Sequence, residues 1–180
     1  TAAIAALGLT ACGDTGDADT ADGTPQSIIS LSPTATEMLF AVGAGEQVVA
    51  VDDRSSYPAD APRTKLSGYT PNLEAILGYS PDLVVLADDN DDIVAGLERA
   101  GVQVLQLPAA ANLDDTYTQI EQVGAASGHV GDAAELVGNM RSEIDELFAS
   151  VPERETPLSY FHELDNTFYT VTDDSFIGQI

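Results

Sequence analysis

The stretch Ile28-Ile29-Ser30-Leu31-Ser32-Pro33-Thr34 constrains the fold more than any other. Its apolar opening is short enough for a buried strand and too short for a buried helix. Ser32 then offers a hydroxyl to cap a helix. Pro33 suits the first helical turn because its missing N–H would have no partner there. Glu37 falls in the early turns, where the helix dipole favours negative charge. Met38, Leu39 and Val42 supply an apolar face, and Gly43 and Gly45 are expected to end the helix. Val48-Val49-Ala50-Val51 reads as a second strand, with Asp52-Asp53-Arg54 leaving its carboxyl end. Strand, helix and strand joined by tight turns make a parallel α/β unit. Such sheets bind ligands beyond the carboxyl ends of their strands. Pro33, Thr34 and Arg54 are therefore expected at one edge.

The pattern continues. Arg63 to Ser67 is expected as a short strand, and Gly68-Tyr69-Thr70-Pro71 turns out of it. Asn72 caps a short helix over Leu73 to Leu77. Leu83-Val84-Val85-Leu86-Ala87 is a continuous apolar run, which fits a strand buried on both faces. Asp88-Asp89-Asn90 follows at its carboxyl end. Ile93, Val94 and Leu97 mark a helix ending at Gly101, and 102–107 is the next strand, stopped by Pro108. No G-x-G-x-x-G turn follows any strand, which argues against a dinucleotide site of the usual kind. The fold class expected is α/β: a Rossmann-like parallel-sheet N-terminal lobe over 27–108, then connecting helices over 109–151, then the beginning of a second α/β lobe over 152–180.

Within the connecting segment, Leu113, Tyr117, Ile120, Val123 and Ser127 keep helical spacing. Val130, Ala133, Val137, Met140, Ile144, Leu147 and Val151 define a second amphipathic helix of about five turns, the long interlobe helix. Leu158 to Leu164 and Phe168 to Val171 are expected as strands. A helix follows Ser175. A second lobe would need roughly a hundred further residues, so the chain is expected to be a piece of a longer one, incomplete at both ends.

At the other end, 1–12 is small and apolar without a basic start, the pattern of a signal-peptide remnant. Leu9-Thr10-Ala11-Cys12 resembles a bacterial lipoprotein cleavage box, which makes Cys12 the expected lipidation site. The segment 13–26 is rich in Asp, Thr, Gly and Ala and is expected as a flexible linker. Cys12 is the single cysteine, so an internal disulfide is ruled out. Thirty acidic residues against six basic ones give a net charge of −24. Such a field repels nucleic acid and anionic membrane surfaces.

Strand ends bring Pro33-Thr34, Arg54, Tyr69 and Asp88-Asp89-Asn90 toward one edge. Helix amides after Ser32 supply donors, Arg54 a fork for carboxylate or phosphate, and Tyr69 a flat face with a polar tip. These parts suit a large, planar, partly polar ligand. The histidines, His129 and His162, are far apart in sequence. No His- or Cys-rich cluster marks a zinc or manganese site. No nucleophile elbow or Ser-His-Asp set is visible, so neither a catalytic residue nor a resident cofactor is expected.

Several segments also keep the order and spacing of a known family: Ile29-Ser30-Leu31-Ser32-Pro33, Thr36-Glu37, Val49-Ala50-Val51-Asp52, Ser56-Tyr57-Pro58, Asn72-Leu73-Glu74-Ala75-Ile76 and Pro81-Asp82-Leu83-Val84-Val85. Together they resemble the substrate-binding proteins of cobalamin and iron–siderophore ABC importers, most of all the cobalamin-binding type. The resemblance implies two similar lobes joined by a rigid helical spine. A cobalamin-like, haem or ferric-siderophore ligand would sit between them and pass to a membrane permease. Pro33, Thr34, Arg54 and Tyr69 would line the ligand site, and Glu74 would dock on the permease. Arg54 stands where the cobalamin type can present an aromatic residue, which admits a ligand with acidic groups. The protein would lie on the extracytoplasmic face of the membrane, held by its lipid. The alternatives are a cofactor-processing enzyme, or a sensor or adhesion lipoprotein, on the same two-lobed fold.

Overall fold

The computed structural model describes residues 23–153, 155–156 and 158–180. Four parallel strands form its sheet: β1 (Ile28–Ser30), β2 (Val48–Val51), β3 (Leu83–Leu86) and β4 (Gln103–Gln106), in the order β2-β1-β3-β4. β1 and β3 are buried on both faces, as their uninterrupted apolar runs require. Successive side chains point to opposite faces, and two cores result. Ile28, Val48, Val51, Leu83 and Val85 meet Met38, Leu39, Tyr117, Ile120 and Val123 on one side. Ile29, Ala50, Val84 and Leu86 meet Ile76, Ile93 and Leu97 on the other. Burying each of the larger side chains contributes about 1.5–3 kcal/mol.

Helix α1 (Pro33–Ala41) follows β1, and the Ser32 hydroxyl accepts the Ala35 N–H at 3.5 Å. No acidic residue lies in its first turn, since Glu37 is the fifth helical residue. Gly43 turns the chain after α1, whereas Gly45 lies inside a one-turn 3-10 segment, Ala44–Gln47. Helix α2 (Leu73–Leu77) is capped by Asn72, whose Oδ1 accepts the Ala75 N–H at 2.8 Å. Helix α3 (Ile93–Arg99) follows β3. Asp89 Oδ1 accepts the Val94 N–H at 2.9 Å, so one carboxylate of that loop serves the helix end. Arg63 to Ser67 does not form the expected strand. A single bridge, Val51 to Arg63, is all that pairs there. Thr64 instead spends both its N–H and its hydroxyl on the Val51 carbonyl.

Helices α4 (Leu113–Ser127) and α5 (Val130–Ser150) have the lengths their apolar periodicities predict. They approach closely at Gly124, where an added β-carbon would lie 2.4 Å from Ala133 Cβ. Arg141 on α5 stacks 4.2 Å over the Tyr117 ring and pairs with Asp114 at 2.9 Å. No described helix is long and apolar enough to cross a membrane.

Beyond α5 the expected strands over 158–164 and 168–171 are not formed. One antiparallel bridge, Glu163 to Thr170, joins them, and their residues are exposed except Val171. A lone two-stranded pair is marginal in water, and among the described residues no further strand pairs with either segment. The turn between them is held by Thr167, whose hydroxyl and N–H both donate to Asp165 and keep that carboxyl below its ordinary range. Ser175 then caps α6 (Phe176–Gln179). Cys12 and residues 13–22 of the expected linker lie outside the described residues. The end of that linker belongs to the folded unit. Pro25 is buried and its carbonyl accepts from Gln47 Nε2 at 2.6 Å, while the Gln26 N–H donates to Asp82 Oδ2 at 2.9 Å.

Candidate ligand-binding site

The chain leaves β1 for β2 on one side and later reaches β3 on the other. That reversal opens a crevice at the carboxyl ends of β1 and β3, the place where open α/β sheets take ligands. A cavity of about 490 Å³ lies there. Its wall comes from three strand ends, with Leu31, Ser32 and Pro33 after β1, Asp52, Asp53 and Arg54 after β2, and Ala87, Asp88 and Asn90 after β3. The turn Ser67-Gly68-Tyr69-Thr70 closes the fourth side.

Each part is held from below. Ser30, Thr36 and Ser55 are buried, and their hydroxyls form a chain: Thr36 Oγ1 lies 2.8 Å from Ser30 Oγ and 2.9 Å from Ser55 Oγ. Ser30 Oγ donates to the Ser32 carbonyl at 3.1 Å, and Thr36 Oγ1 lies 3.0 Å from the same oxygen. This chain ties the start of α1 to the loop carrying Arg54. Asp52 is only 2% exposed; its N–H donates to the Ser30 carbonyl at 3.0 Å, and its Oδ1 accepts the Ser55 N–H at 2.8 Å. The Asp53 N–H donates to the Leu66 carbonyl at 2.8 Å. The Tyr69 turn is shaped by Ser67, whose Oγ accepts the N–H groups of Tyr69 and Thr70 at 3.2 and 3.1 Å. Asn90 Nδ2 donates to the Gly68 carbonyl at 2.9 Å and fastens the β3 loop to that turn.

Of the residues expected at the site, Pro33, Arg54 and Tyr69 share this cavity. Thr34 does not. It lines a second cavity of about 530 Å³ with Met38, Leu107, Gln119, Phe176 and Ile177. The two cavities have Ser32, Ala87 and Asp88 in common and so meet around the ends of β1 and β3. Tyr69 is 84% exposed, its ring standing free at the rim. The Arg54 side chain is 83% exposed and lies 3.9 Å from Asp53 Oδ1, a loose surface pair. Exposed pairs of this kind contribute little, so the guanidinium can turn to a ligand at small cost.

Glu74 lies outside both cavities, exposed in the first turn of α2. Ile76 is buried on the opposite face, with Leu73 and Leu77 packed beside it. His129 sits between α4 and α5, its ring nitrogens 3.1 Å from Asp132 and 3.0 Å from Gln47 Oε1, and His162 is exposed. Among the described residues no group of three or more His, Cys, Asp or Glu could hold a metal ion.

The buried hydroxyls and the depth of Asp52 are the parts a sequence reading overlooks. A signal exists. Ser30 interrupts a strand that must be buried on both faces, and Thr36 falls on the inward side of α1. Polar residues at core positions need partners.

A family model for the periplasmic binding protein family matches residues 28–180. The chain is 30% identical over 165 residues to the uncharacterised ABC transporter substrate-binding lipoprotein YvrC of Bacillus subtilis, covering 87% of this chain and 52% of that protein. It is 31% identical over 166 residues to a cobalamin-binding protein of Halobacterium salinarum, covering 88% of this chain and 44% of that one. Among solved structures, the periplasmic vitamin B12 binding protein BtuF of Vibrio cholerae superposes with a TM-score of 0.70 at 26% identity, over 86% of this chain and 62% of its own. The chain thus spans about half the length of the curated relatives it matches.

Proposed function

The chain belongs to the periplasmic binding protein family, and we propose that it captures a corrinoid, haem or ferric-siderophore ligand outside the cytoplasm and delivers it to an ABC permease. The observation that carries this reading is the cavity at the ends of β1, β2 and β3, edged by Pro33, Arg54 and Tyr69. Its floor is rigid and its rim is free. A large ligand needs that combination, because a preorganised wall loses little freedom on binding. The second cavity, with Thr34, continues the surface toward α6. The function is binding without turnover, and the support is that both relatives reported above are named as binding proteins, the Bacillus one as an ABC transporter substrate-binding lipoprotein.

Two further parts belong to the same proposal. Cys12, in the box Leu9 to Cys12, receives the lipid that holds the protein at the membrane. The Bacillus relative is named as a lipoprotein. Glu74 meets an arginine of the permease. Its exposure on a short helix whose other face is buried leaves it free to do so, and a carboxylate–arginine pair sets orientation as well as affinity.

Calorimetric titration of the full-length protein with cyanocobalamin, hemin and a panel of ferric siderophores tests the proposal. Saturable binding of one class at micromolar or lower concentration is expected. Absence of binding across all three overturns it.

A further inference from the structure

Asp52 has more to it than its bond to Ser55. The side chain is almost wholly enclosed, yet it lines the cavity. Its N–H holds the backbone against Ser30, and its Oδ1 holds the side chain against the Ser55 N–H. Oδ2 makes no hydrogen bond among the described residues. It lies 3.3 Å from the point where a β-carbon on Gly68 would sit. Gly68 lines the same cavity and has no side chain to cover it. Every fully enclosed side-chain nitrogen or oxygen among the described residues has a partner, so Oδ2 is reached from the cavity.

A carboxylate oxygen accepts hydrogen bonds and donates none. Set this deep, it favours a ligand that brings an N–H or O–H, and it repels one that brings another carboxylate. The surroundings push the same way. Asp53 and Asp88 also line the cavity, so three carboxylates face one guanidinium, and that guanidinium stands beside Asp53.

We propose that Asp52 is the specificity-determining residue of this cavity, its Oδ2 accepting an amide N–H of the ligand, so that the ligand is a neutral, amide-bearing macrocycle of the corrinoid kind. This rests on the cavity being the ligand site. A corrinoid carries primary amides around its rim and meets the requirement. Haem presents two propionates, and many ferric siderophores present acidic groups, which this wall disfavours.

The test compares cyanocobalamin with hemin on the full-length protein, wild type and Asp52→Asn. Asparagine keeps the size and the acceptor for the Ser55 N–H but turns an N–H toward the ligand. Wild type is expected to bind cyanocobalamin about tenfold or more tighter than hemin, and Asp52→Asn to lose about tenfold or more of the cyanocobalamin affinity while holding hemin equally or better. Tighter binding of hemin overturns the assignment and leaves the cavity standing as the ligand site. Binding of neither probe overturns it too, and the cavity reading then stands or falls on the ferric-siderophore titration. Unchanged cyanocobalamin affinity in a folded Asp52→Asn protein overturns it as well. Should that variant fail to fold, wild type decides with cyanocobalamin monocarboxylates, each having one amide hydrolysed to the acid. At least one isomer is expected to bind about tenfold weaker, and equal affinity of all isomers overturns the proposal.

Discussion

Gly68 lies directly against the carbonyl oxygen of Leu31: a β-carbon built on Gly68 would stand 2.0 Å from it. The Tyr69 turn can therefore approach the end of β1 only with glycine at this position. The contact brings a loop from beyond β2 over the carboxyl end of the central strand and closes the cavity. It also leaves Asp52 Oδ2 uncovered.

Gly68→Ala is accordingly expected to force the turn away from Leu31. Overpacking of this kind costs about 1–3 kcal/mol. Urea unfolding should show a lower midpoint with an unchanged slope, and ligand affinity should fall with it. A midpoint equal to wild type would mean that the turn moves freely.

Thr36→Val removes the middle of the buried hydroxyl chain. Ser55 Oγ loses its partner, and a buried polar group so stranded costs about 1–3 kcal/mol. Thr36→Ser keeps the hydroxyl and should recover most of that loss. A Thr36→Val protein as stable as wild type would show that the buried hydroxyl chain does not support the fold.

The surface makes a separate prediction. With a net charge of −24, and two arginine–carboxylate pairs among the described residues, most carboxylates repel one another without local compensation. Raising KCl from about 0.1 to about 1 M shortens the screening length from about 10 to about 3 Å. The melting temperature should rise by several degrees over that range. A flat or falling profile would show that repulsion does not limit stability.

Much of the fold is legible in the sequence. Ile28 to Thr34 encodes strand, cap and helix start within seven residues, and the α4 and α5 stripes run long enough to fix their period. The failures share one physical cause. Arg63–Ser67, 158–164 and 168–171 have strand-like composition, but a strand exists only where a neighbour pairs along it. Sequence carries propensity and does not carry that neighbour. Arg54 reaches the cavity from its expected place after β2, whereas Tyr69 reaches it from a turn whose expected preceding strand is not formed. Thr34 fell to the adjoining cavity because, one residue into α1, it follows the helix away from Pro33. Asp52 was not legible as a deep wall residue. In sequence it is one of two adjacent aspartates, and only the Ser30 and Ser55 contacts draw it inward while Asp53 stays out.

Glu74→Ala and Cys12→Ala separate docking and anchoring from binding. In cells, Glu74→Ala should slow uptake of the ligand while leaving affinity and melting temperature unchanged. Cys12→Ala should release the protein from the membrane fraction. Lost affinity in the first variant would move Glu74 to the ligand site. Unchanged fractionation in the second would remove Cys12 as the anchor.

The cavity itself is tested most directly by titrating the Arg54→Ala/Tyr69→Ala double variant of the full-length protein with the ligand that wild type binds. Both side chains are exposed at the rim, so their loss should leave folding intact. Affinity is expected to fall about tenfold or more, equivalent to about 1.4 kcal/mol or more, with the melting temperature of the free protein unchanged. Wild-type affinity in the double variant would contradict the placement of the ligand at the ends of β1, β2 and β3.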